Sequence, residues 1–211
     1  TNANESPSSS DEKSNEKFSE QMLHDRKAAI DNLATSEQNY QQNLESIVNL
    51  YKSKFSKSIV DEKTEQAVFG NVSSLIVLSE QTNLSLRKEI QRGPEKAEIW
   101  KCYSLAPQYI KYYHTYITSY TSMLSHYNDF VISDKKIKKF VKKIEGEDPQ
   151  HRFTSLSLMP FVRINTLIKQ LQSILDSTPD WHTDYINLPD TISALTSISK
   201  DTDKMLDIAE N

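Results

Sequence analysis

From Ile30 to Tyr51 the apolar residues fall at steps of three and four: Ile30, Leu33, Tyr40, Leu44, Ile47 and Tyr51. That spacing lines one face of a helix and cannot line one face of a strand, whose side chains alternate with period two. Neither glycine nor proline interrupts the chain from Phe18 to Phe55. The pattern therefore predicts one long helix ending at Phe55 and starting at Phe18 or Leu23. The stripe skips one step between Leu33 and Tyr40, and the residue that would fill it is Glu37. Either that carboxylate lies solvated at the margin of the stripe, or it faces a partner.

The same period recurs downstream. Val68, Val72, Leu75, Ser79, Thr82, Leu86 and Ile90 predict a helix over 61–91 that stops at Arg92-Gly93-Pro94. A short helix over 95–104 leads to Pro107. A longer one, to about Phe130, carries Tyr109, Tyr112, Tyr113, Tyr116, Tyr120, Met123 and Tyr127. Residues 133–144, SDKKIKKFVKKI, open on a Ser/Asp cap and form a short basic amphipathic helix, with 145–150 as a loop. A helix over about 156–177 contains Pro160 as a kink or restart. The last helix, over 181–210 with Asp180 as its cap, is expected to bury Tyr185, Leu188, Ile192, Leu195, Ile198, Thr202 and Met205. Residues 1–17 lack large apolar side chains and read as a disordered leader or linker. No segment alternates with period two. The expected fold is all-α: one elongated bundle of about six helices over residues 18–211.

Composition closes several routes to function. The chain has only three glycines, Gly70, Gly93 and Gly146, so neither a dinucleotide fingerprint nor a phosphate-cradling loop can be built. A single cysteine, Cys102, excludes internal disulfides and multi-cysteine zinc sites, and reducing cytosol is its simplest setting. It reads as a small buried thiol with no activating neighbour. His24, His114, His126, His151 and His182 lie on separate helices and loops without metal-ligand spacing, so no metal or cofactor is expected. The net charge of −4 argues against nucleic acid as a partner. The tyrosine ladder over 109–127 is therefore assigned to the core and not to a base-stacking platform. Lys135, Lys136, Lys138, Lys139, Lys142 and Lys143 flank Ile137, Phe140, Val141 and Ile144. They form either a solvated helix face docked on the bundle by its apolar side or a contact for an anionic membrane.

The order of motifs resembles the Dbl-homology (DH) domain, the module of Rho-family guanine nucleotide exchange factors, over about residues 22–208. SEQNY (36–40), continuing to Leu44, is similar to that family's first region, Thr/Ser-Glu-x-x-Tyr followed by leucine. VFGNVSSLIVLS (68–79) and APQYIKYYHTYITSY (106–120) resemble its Phe-x-Asn segment and its aromatic second region. LSLMPFVRINTLIKQLQSILDSTP (156–179) resembles the third, Leu-Ile-Lys-Pro-x-Gln-Arg, and INLPDTISALTSISKDTDKM (186–205) the closing helix.

The resemblance implies a domain that binds a Rho-family small GTPase at its switch regions and promotes GDP release without covalent chemistry. Glu37 and Asp203 would act in exchange, with Tyr40, Met159 and Arg163 as further GTPase-binding residues. It places Glu37 outward toward the partner, so that Glu37→Ala would abolish exchange and barely change melting. Arg163 would either contact the GTPase or pair within the bundle. Two positions depart from the third region: Met159 stands where lysine is usual and Val162 where glutamine is usual. The lost lysine removes a charge-assisted contact worth about 1.5–3 kcal/mol where desolvated. Asp203 replaces the usual asparagine. The alternative is a catalytically weak DH-like scaffold or helical adaptor. A neighbouring pleckstrin-homology (PH) domain, and a cytoplasmic location with recruitment to membrane or cortical cytoskeleton, are the expected context.

Overall fold

The computed structural model describes residues 17–55, 61–104 and 106–210, the side chains of 106–107 and 201–210 apart. Most of the expected leader, 1–16, lies outside them. Helix α1 spans Glu20–Ser46, opened by Ser19, whose hydroxyl accepts the Met22 N–H at 3.1 Å. It runs on through a π-helical stretch, Ile47–Lys52, into α2 (Ser53–Phe55). Then follow α3 (Glu62–Phe69), α4 (Val72–Gln91), a 3₁₀ turn (Ile99–Tyr103) and α5 (Ala106–Ser133). After these come α6 (Lys135–Glu147), a 3₁₀ turn (Pro149–His151), α7 (Phe153–Ser157), α8 (Met159–Asp176) and α9 (Thr183–Glu210). No strand occurs among the described residues. At 1.5 Å per residue, the 28-residue helices α5 and α9 each span about 42 Å, which makes the bundle elongated.

The boundaries differ from the sequence reading where local chemistry is subtle. The helix expected over 61–91 is two, because Gly70 takes φ +57° and turns the chain against α5. A side chain there would meet Met123 Sδ at 3.3 Å. Helix α6 continues through part of the expected loop to Glu147, carrying Gly146 within it, and stops at Asp148, which the following Pro149 holds in an extended conformation. Pro160 is a restart, seated in the first turn of α8, where a missing N–H costs nothing. Asp180 does not cap α9; the His182 imidazole accepts the Asp184 N–H at 3.1 Å instead.

Helix α1 packs between α4 and α8, α8 packs on α9, and α9 returns to α5, which also carries α3 and α6. All six apolar stripe positions from Ile30 to Tyr51 are buried. So are Tyr109, Tyr113, Tyr116, Tyr120 and Tyr127, whose hydroxyls find partners at the core edge or within it. Tyr116, for example, donates to the Ser157 carbonyl at 3.0 Å. The Tyr127 and Phe153 rings stack at 3.8 Å. Tyr185, expected inside, is 46 % exposed. The inward line of α9 is Asp184, Leu188, Thr191, Leu195 and Ile198, and one residue of helical rotation carries Tyr185 away from it. Thr202 and Met205 have side chains outside the described set.

Asp184 leads that line because it pairs with Arg26, a fully buried couple that the sequence reading missed. Arg26 also donates to the Pro94 and Ala97 carbonyls, each at 2.8 Å, and Asp184 accepts the Ile99 and Trp100 N–H groups at 3.0 and 2.8 Å. One ion pair thus ties the 94–100 loop to α1 and α9.

Candidate functional site

Position 37 faces inward between α4 and α8. Its Oε1 accepts a hydrogen bond from the Ser79 hydroxyl on α4 at 2.6 Å, and its Oε2 pairs with the Arg163 guanidinium on α8. Arg163 donates further to Ser36 Oγ at 2.9 Å and Gln170 Oε1 at 3.1 Å. Glu37 is 1 % exposed and Arg163 3 %. The expectation of an outward carboxylate at 37 is therefore corrected. A carboxylate tolerates this depth because a hydroxyl and a guanidinium satisfy it there. Burial works against the charge on Arg163, Glu37 works for it, and the balance raises the guanidinium's pKa. Of the two roles left open for Arg163, it takes the one within the bundle.

Tyr40 lies one turn along α1, buried, accepting from the Tyr113 hydroxyl at 2.9 Å with the Arg163 guanidinium 5.6 Å from its ring centre. Burial first, and then Tyr113, push its phenol well above the usual range. Glu37, Tyr40 and Arg163 are thus brought together as one joint between α1 and α8. Met159 is half-buried beside them. Asp203 belongs to α9, with its side chain outside the described residues.

Directly over this joint lies an open groove of about 380 Å³ between α1 and α8. Helix α1 lines it with Asn32, Thr35, Asn39 and Asn43, and α8 with Met159, Val162, Thr166 and Gln170. Gln170 donates across it to Asn32 Oδ1 at 3.1 Å. Val162 is 56 % exposed. The polar line on α1 escaped the sequence reading, which followed the apolar stripe. Its signal was three asparagines inside a helix, where alanine, lysine or glutamate propagate better. Among the described residues, no nucleophile with an activating base lines the groove. Chemically it is a docking surface.

Elsewhere, Cys102 is buried, which pushes its thiol up to about 12. On α6, Asp134 caps the helix, Ile137 and Val141 are buried, and all six lysines from 135 to 143 are exposed. No helix among the described residues is long and apolar enough to cross a membrane.

The family model for the RhoGEF domain matches residues 29–203. Among solved structures, a DH/PH fragment of PDZ-RhoGEF in complex with human RhoA shares 16 % identity at a TM-score of 0.73, covering 88 % of this chain and 55 % of that one. The linker-DH/PH domains of p115-RhoGEF share 16 % at 0.75, covering 88 % and 58 %. The Vav1 exchange factor, solved with its PH and C1 domains, shares 16 % at 0.73, covering 86 % and 49 %. The chain thus spans about half the length of these structures, and their likeness is one of fold. A search of curated protein sequences found no match.

Proposed function

Since the chain belongs to the RhoGEF-domain family, we propose that it binds a Rho-family small GTPase across the α1/α8 groove and promotes release of its GDP. The observation that carries this reading is the coincidence of the family match with a groove that offers docking and no covalent chemistry. Exchange requires only that the domain hold the nucleotide-free GTPase more tightly than the loaded one. A thousandfold preference weakens nucleotide binding by the same factor, about 4 kcal/mol.

In this reading Met159 and Val162 contact the GTPase directly, and Asp203 reaches it from α9. Glu37, Tyr40 and Arg163 act from below by fixing the spacing of α1 and α8. The domain works beside a PH-type domain in the cytoplasm, and the lysine face of α6 holds it at anionic membrane or cortex.

The test is release of a fluorescent GDP analogue from a panel of Rho-type GTPases. Acceleration with at least one member supports exchange. Binding with flat release curves across the panel supports the scaffold reading in its place.

A further inference from the structure

Of the described residues lining the α1/α8 groove, Arg163 alone carries a charge, and that charge is spent inside the domain on Glu37, Ser36 and Gln170. What remains open is an amide and hydroxyl line from α1 facing an apolar edge formed by Met159 and Val162 from α8. The side chains of Asn39 and Asn43 make no hydrogen bond to any described residue, so their donors and acceptors are available to a partner. Elsewhere α1 carries charge outward, as at Asp25, Lys27 and Asp31. The neutrality belongs to the groove and not to the helix.

We infer that the GTPase meets this groove with an uncharged segment, an apolar side chain seated on Met159 and Val162 beside backbone or amide groups that pair with Asn39 and Asn43. This deepens the exchange reading and rests on it. A carboxylate or ammonium brought into the groove would lose its water and find no countercharge. An apolar segment loses nothing of the kind. The groove itself contributes no electrostatic steering, so what salt dependence association has comes from charges outside it, Asp203 on α9 among them. The usual lysine of the family at position 159 would serve an acidic partner; this surface selects against one.

The experiment measures GDP release from the responsive GTPase between low and high ionic strength, for the domain carrying Asp203→Asn, which removes the charged contact from α9, and for three variants of it. The expected result is a rate changing less than about threefold from 50 to 500 mM salt. Val162→Asp and Asn39→Asp should each lower it at least tenfold with unchanged melting temperature, since both side chains are exposed. Met159→Lys should lower it or leave it unchanged. A rate that falls tenfold or more with salt, or that rises with Met159→Lys, overturns the neutral contact while leaving exchange intact. The absence of acceleration with every GTPase overturns the exchange reading itself.

Discussion

Replacing Glu37 with alanine removes the carboxylate paired with Arg163 and leaves a guanidinium 3 % exposed with two neutral acceptors, Ser36 and Gln170. Breaking a buried pair from one side costs about 3–5 kcal/mol, because the remaining charge keeps its desolvation penalty without its partner. The Ser79 hydroxyl loses its acceptor as well. A domain of this size has about 5–15 kcal/mol in all, and each kcal/mol moves the melting temperature by about 2–4 °C. Glu37→Ala should therefore melt about 6–20 °C lower, measured by far-UV circular dichroism and checked by urea unfolding. Glu37→Leu combined with Arg163→Met should recover most of the loss, since it leaves no lone charge. A Glu37→Ala melt within 2 °C of the parent, or a double variant that is simply the sum of the singles, would refute the buried joint and return Glu37 to solvent.

Three further outcomes follow from other parts of the molecule. Lys139→Glu with Lys142→Glu should abolish sedimentation with phosphatidylserine vesicles, each lysine being worth about 1 kcal/mol near such a surface, while leaving release in solution unchanged; unaltered sedimentation would remove the membrane from the account. His182 is held below its ordinary pKa of about 6.5 by burial and then by Arg26. A base depressed on folding adds stability that is complete above that value and fades as pH falls beneath it, so the melting temperature should drop between pH 7.5 and 5.5, and His182→Asn should flatten the drop. Cys102, raised to about 12 by burial, should resist a thiol reagent at pH 8 until the protein is unfolded in urea.

The helices were legible because their apolar residues keep the helical period over long runs, and α1, α4 and α5 bury the stripes that this period marks. Gly70 was not legible as a break, since what forbids a side chain and a straight course there is Met123, 53 residues downstream. Glu37 was legible as an anomaly in the stripe but not as half of a pair. Its partner lies 126 residues away, and no local pattern links the two. Arg26 and Asp184 were hidden in the same way, each a charged residue in a helix that looks solvated until the helices pack. The groove itself was half legible. Met159 and Val162 stood out as departures from a family pattern, while the asparagines opposite carried a signal only in their poor fit to a helix interior.

Methyl NMR of the domain, with Met159 and Val162 followed as nucleotide-free GTPase is added, tests the docking surface most directly. Selective shifts or broadening of these two are expected, with the exposed methyls of Val77 on α4 and Ile132 on α5 unmoved. Binding that perturbs Val77 or Ile132 and leaves Met159 and Val162 in place would contradict the assignment of the α1/α8 groove to the GTPase.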